Sequence, residues 1–304
     1  MDKNLQNYLI LYKNFLQKNN IDMAIEMLKK IVDYSAPEVK EEWLYELAVL
    51  YGDQNRFEES LAIYKRLLEM NPKNPYANYG MAVDTDLSGG DLNTSLKHYE
   101  LAFKYKPDFQ KAYYYAAVLA DDLGDRKKSF KYYKKALKID PYDYIALNDM
   151  GSLYERENQN DLALEYIERA LELAPDFALA LFNRGVVLKK LGLYSLALKS
   201  YYKAMEYSDD YKIYLNTGAL YKEIGQIEKT KDILEIGVKK CPTNHILWYN
   251  LACAYSNLKM NNEAIWALIK AINIDERAKE WAKRDEDLKD LDFTEAINDY
   301  DKNR

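Results

Sequence analysis

Residues 110–141 read QKAYYYAAVLADDLGDRKKSFKYYKKALKIDP. In the first half, Tyr113, Ala116, Ala117 and Ala120 recur at steps of three and four, which brings them onto one helix face. Gly124-Asp125 interrupts that face: glycine takes up the left-handed conformation that closes a helix, and aspartate caps the next one. Phe130, Tyr133, Ala136, Leu137 and Ile139 then resume a helical pattern, and Pro141, which cannot continue a helix, ends it. The stretch therefore encodes two antiparallel helices joined by a tight turn.

The same sentence is written along the whole chain. Pro107, Pro141 and Pro175 stand 34 residues apart, Pro72 precedes them by 35, and Asp209 and Pro242 continue the rhythm at 34 and 33. Small residues recur at the eighth place of each unit (Ala48, Ala117, Gly151, Gly185, Gly218, Ala252) and at the twentieth (Ala24, Ser60, Ser95, Ser129, Ala163, Ala197, Ala264). Small side chains at both places let paired helices approach closely, while large ones between them fill the core. Asp86 falls where an aromatic is usual, which predicts either a one-residue register shift or a carboxylate facing a polar site.

This pattern resembles the tetratricopeptide repeat, with its 34-residue period and its small-large signature. The resemblance implies an all-α fold, a right-handed superhelical α-solenoid of antiparallel helix pairs. Eight tandem units over residues 1–276 are expected, starting near Leu5, Glu41, Tyr76, Gln110, Tyr144, Ala178, Tyr211 and His245. Residues 277–304 keep helical spacing through Ala278, Trp281, Ala282, Leu288, Leu291, Phe293 and Ile297, and are expected to cap the last apolar face, with Trp281 on the eighth unit and fraying from Tyr300.

Function follows from the groove that the first helices line in this family. Peptide contacts there come mostly from places two, five, six, nine, twelve and thirteen, so the resemblance implies a non-enzymatic adaptor that binds a peptide segment of a partner protein. Asn183, Asn216 and Asn250, with Asp149 before them, occupy the sixth place. An amide offers a donor and an acceptor, so the three asparagines resemble the ladder that holds a peptide backbone in some members; bonding to a neighbouring helix is the other reading. Tyr45, Tyr114, Phe182 and Tyr249 hold the fifth place, with Tyr115 beside them, as contact rings or as core.

Charge divides the groove places. Glu42, Glu46, Asp53, Asp84, Asp121, Asp122, Asp149 and Glu155 outweigh Lys111 and Arg156 early on, and Lys189, Lys190, Lys212 and Lys222 outweigh Glu223 later. A partner segment basic at one end and acidic at the other would match, unless both stretches are simply solvated faces. The lysine-rich helix from Lys127 to Lys138 is read as half of an ion-pair network with Asp161, Glu165, Glu168 and Glu172, or as a site for an anionic partner. The family's two-carboxylate clamp needs lysines and asparagines in three successive units, and no triple here supplies them.

Composition limits the alternatives. Hydrophobic residues make up 48% and charged residues 30%, as in a folded chain, and the net charge of −6 argues against general nucleic-acid binding. No apolar run is long enough for membrane insertion, and no signal peptide is read at Met1. Lysine and tyrosine are abundant, a bias suggesting a bacterial source. Cys241 and Cys253 match no metal or redox spacing and are expected to pack as small hydrophobes; His98 and His245 belong to no motif. No cofactor, metal or catalytic constellation is expected. The expectation is a cytoplasmic protein, monomeric or weakly self-associating, with a peptide-sensing regulator and an end-to-end self-assembling scaffold as alternatives.

Overall fold

The computed structural model describes residues 3–289 and 291, and contains seventeen α-helices and no strand among them. Phe293, Ile297 and Tyr300, assigned from sequence to the terminal segment, lie outside the described residues. In chain order the helices are α1 (Lys3–Gln17), α2 (Ile21–Tyr34), α3 (Pro37–Asp53), α4 (Phe57–Met70), α5 (Pro75–Leu87), α6 (Leu92–Tyr105), α7 (Gln110–Asp122), α8 (Arg126–Ile139) and α9 (Tyr144–Arg156). They continue with α10 (Asn160–Leu173), α11 (Ala178–Lys190), α12 (Tyr194–Met205), α13 (Tyr211–Glu223), α14 (Ile227–Lys240), α15 (His245–Asn257), α16 (Asn261–Ile274) and the short α17 (Arg277–Ala282). Two compact units are formed, residues 1–146 and residues 147–304.

One backbone device closes every pair. The turn residue is left-handed at Asn19, Asn55, Gly89, Gly124, Asn158, Gly192, Gly225 and Lys259, with φ between 53° and 78°. Three residues after each of these helix ends, a backbone N–H reaches back to the carbonyl five residues earlier: Asp125 N–H to Ala120 O at 2.8 Å, Gln226 N–H to Tyr221 O at 2.9 Å, Met260 N–H to Tyr255 O at 2.9 Å. That bond satisfies a carbonyl that the helix end leaves orphaned. Glycine supplies four of these turns without steric cost and asparagine three at small cost, but Lys259 must hold its Cβ against the carbonyl. Lys259→Gly should therefore raise stability by roughly 0.5–1 kcal/mol, even after the added freedom of the unfolded chain is subtracted. A denaturation midpoint unchanged or lowered by this substitution would contradict that balance.

Within each unit the helices of a pair pack antiparallel, and first helices of successive pairs also meet directly, α3 with α5 and α11 with α13. The close approach is paid out in small side chains: an added Cβ at Gly151 would lie 2.6 Å from Ile167 Cγ1, and one at Gly185 would lie 2.4 Å from Tyr201 Cε1. Where the twentieth place carries a hydroxyl instead of alanine, it can bond the facing helix. Ser60 Oγ–H donates to Ala48 O at 2.7 Å, and Thr230 Oγ1–H donates to Gly218 O at 3.1 Å.

The core of the first unit includes Tyr12, Leu28, Ile31, Leu44, Ala48, Tyr64 and Leu67. The second unit has a corresponding core around Tyr214, Leu234, Leu247, Leu251 and Leu268, and Ala278, Ala282, Leu288 and Leu291 belong to it. Trp281 lies against His245 and Tyr249, both with ring centroids 5.7 Å away. Thus α17, with Leu288 and Leu291 after it, covers apolar surface of α15 and α16.

Candidate functional site

A run of aromatic rings crosses the first unit, on α3, α5 and α7 together with Tyr64 of α4 and Phe109 just before α7. From Tyr64 it passes through Tyr45 (6.0 Å), Tyr76 (6.2 Å) and Phe109 (5.5 Å) to Tyr79 (4.9 Å), Tyr115 (6.2 Å) and Tyr114 (5.1 Å). Tilted and edge-on contacts of this kind suit the ring quadrupoles. Tyr45 and Tyr79 are half-buried, and burial raises both phenols above the ordinary tyrosine range. Tyr76 and Tyr115 remain exposed, while Tyr114 also contacts Tyr133 at 6.0 Å.

Beneath this run lies a buried carboxylate. Asp84 is 5% exposed and hydrogen-bonds Ser60 on α4. Burial raises its pKa first of all; the Ser60 bond opposes that, and the charge of Asp53 adds to it. A hydroxyl has one proton, and Ser60 has two acceptors, Ala48 O and Asp84. Its single proton is shared between the two, so Ser60 only partly satisfies the Asp84 carboxylate. The sequence placed Asp84 only among the groove charges; its hydrogen-bond partner Ser60 lies 24 residues away on another helix. Asp86, where a register shift or polar setting was expected, is half-buried, its pKa raised by burial and by Asp122. The carboxylate that α5 fully buries is the one two residues earlier.

In the second unit, Lys189, Lys222 and Asn250 share a cavity of about 550 Å³ with Gly218, Glu223 and Cys253. The lysines there are paired. Lys189 contacts Glu223 at 2.9 Å, Lys222 contacts Asp287, and Lys190 contacts Glu155 at 2.5 Å. The Lys189 ammonium, followed by the Tyr194 hydroxyl, holds the Glu223 carboxyl below its usual range. The basic character read from Lys189, Lys190 and Lys222 is thus locally matched by acids, two of them 35 and 65 residues away in sequence.

The asparagines bond within the protein. Asn183 donates to the buried Asn148 Oδ1 at 2.9 Å, and Asn148 donates to Asp149 at 3.0 Å. Asn216 and Asn250 each donate one amide hydrogen to a carbonyl of their own helix, Lys212 O at 2.9 Å and Ile246 O at 2.8 Å. Phe182 packs on Tyr201 at 5.9 Å. Tyr249 is 9% exposed, faces Trp281, and donates to Asp285 at 2.8 Å, so the terminal segment covers it. Asp121 and Asp122 close α7, and Asp121 has a partner of its own. Asn148 was not singled out from sequence, since a fifth-place asparagine reads as an ordinary polar residue.

Cys253, Asp285 and Asp287 bring potential ligand atoms within 4.8 Å of one another. Tyr249 and Lys222 already serve the two carboxylates, and burial raises the Cys253 thiol far above its ordinary value, which keeps it a protonated core residue. No described helix is long and apolar enough to cross a membrane.

Stacked helix pairs, each closed by the same turn and exposing first-helix side chains, define a protein-interaction scaffold. Models of the tetratricopeptide repeat match residues 42–74, 110–143, 148–211 and 246–277, together more than half of the chain. The chain belongs to the tetratricopeptide repeat family, and its fold is the all-α solenoid of that family. Among solved structures, the C-terminal part of a repeat protein from Cytophaga hutchinsonii aligns with TM-score 0.62 at 15% identity, over 78% of this chain and 98% of that one. A chain of the APC/C hetero-tetramer Cut9-Hcn1 aligns with TM-score 0.60 at 15% identity over 87% of this chain; the match spans about half (52%) of that chain's length. PilF of Pseudomonas aeruginosa aligns with TM-score 0.58 at 14% identity, over 66% of this chain and 92% of its own. At such identities the likeness is one of fold. No curated protein sequence matches the chain.

Proposed function

We propose that the chain is a non-enzymatic scaffold that holds an extended segment of a partner protein along its first helices. The observation that carries this reading is the aromatic run of the first unit, which leaves Tyr76 and Tyr115 open to solvent. Rigid rings supply contact area at low entropic cost, which is why they concentrate at binding surfaces. Asn216 and Asn250 commit one amide hydrogen to their own helices. Each amide has a second hydrogen and a carbonyl oxygen with which to meet a peptide backbone.

The test is site-specific photocrosslinking in the native host. A benzophenone side chain replacing Tyr115 on α7 should give discrete adducts with a partner protein. The same group replacing Tyr202, 43% exposed on the second helix α12, should give none. Adducts at position 202 and none at 115 would move the binding face to the second helices and overturn the reading.

A further inference from the structure

We propose that the first unit holds a receptor pocket for one cationic side chain, lysine or arginine, of the bound segment, with Asp84 at its floor and Asp53 at its mouth. The proposal rests on the scaffold reading above and adds the chemistry of the occupant. The pocket lies where α3, α4 and α5 meet, with a volume of about 250 Å³. Tyr45, Tyr64 and Tyr79 wall it, and the apolar Val49, Val83 and Leu87 complete the lining. A Cβ on Gly52 would stand 3.0 Å from Asp84 Oδ1, so glycine at that point leaves the oxygen uncovered.

Three physical arguments converge on a cation. No lysine, arginine or histidine among the described residues pairs with Asp84 or Asp53, whereas the lysines lining the cavity of the second unit have acidic partners. An anion would meet two carboxylates, and an apolar group would bury Asp84 without compensation. Tyrosine faces attract a desolvated cation, and the aliphatic stem of lysine or arginine matches the valine and leucine lining while its head reaches the floor.

The probe is n-butylammonium, the lysine side chain without its backbone, titrated into the labelled full chain at physiological salt. Saturable NMR shifts are expected at the Gly52, Gly80 and Asp84 amides, with a midpoint on the order of millimolar. The neutral isostere n-butanol should produce none. Asp84→Asn should weaken the response at least about tenfold. It should also leave the melting temperature no lower, because the amide still bonds Ser60 and removes a buried charge that has no cationic partner. Glu58→Gln, an exposed acid on α4 outside the pocket, should change nothing. Equal shifts from butanol, shifts spread evenly over the acidic surface, or an undiminished response in Asp84→Asn would each overturn the proposal. Because butylammonium carries no peptide backbone, failure here leaves the crosslinking result at Tyr115 untouched, and the reverse also holds.

Discussion

Gly185→Ala should destabilise the second unit by about 1–3 kcal/mol, although alanine is ordinarily the better helix former. In an open helix the exchange gains roughly 1 kcal/mol. Here the new methyl group would lie 2.4 Å from Tyr201 Cε1 and 2.5 Å from Cδ1. Those atoms belong to the middle of a ring, not to the free end of a flexible chain. Tyr201 is fully buried and packs on Phe182, so relief requires α11 and α12 to separate. Overpacking outweighs propensity. The internal control is Gly218→Ala, where the nearest atoms are Cδ2 and Cγ of the flexible Leu234 side chain at 3.3 Å, which can give way. That variant should be neutral or gain up to about 1 kcal/mol. A double-mutant cycle of Gly185→Ala with Tyr201→Leu should show a favourable coupling above about 1 kcal/mol, since the smaller side chain makes room. Additivity would place the damage elsewhere.

Leu288→Ala should cost about 2–5 kcal/mol of docking energy for the segment that follows α16. Leu288 is fully buried in the core that contains Leu247, Leu251 and Leu268. Around it the segment is held by Tyr249 to Asp285, Lys222 to Asp287, and Trp281 against His245 and Tyr249. Exposed ion pairs contribute little, so the leucine carries the attachment. The loss should be local: amide exchange should accelerate across α17 and residues 285–291 while α11 and α12 keep their protection. Opening the segment uncovers apolar surface on α15 and α16, and sedimentation should then reveal concentration-dependent association. Wild-type exchange rates in this region would contradict the assignment.

The helix pairs were legible because their determinants are local and repeated. A glycine turn, a small residue at the eighth place and a proline at the unit's end each act within about 34 residues of chain. Turns built on Asn55, Asn158 and Lys259 carry no such flag, since only their backbone angles set them apart. Site chemistry was less legible because it depends on distant pairings. The sequence shows Lys190 and Lys222 as positive charges but does not reveal that Glu155 and Asp287 meet them. Tyr249 has the spacing of a contact ring, yet Trp281 and Asp285 cover it. Asp84 resembled any acid on a helix until Ser60 and Gly52 gave it its setting.

The left-handed turn has a consequence for how such a chain can change. Each pair is closed by the same backbone bond, and residues as different as glycine, asparagine and lysine satisfy the turn. A duplication or loss of one whole pair therefore creates only one new junction and leaves every other turn intact, whereas a change of a few residues shifts the helix faces out of phase. The unit of inheritance is the pair, and binding features such as the Asp84 pocket, assembled from two adjacent pairs, can be gained or lost in a single step of that length.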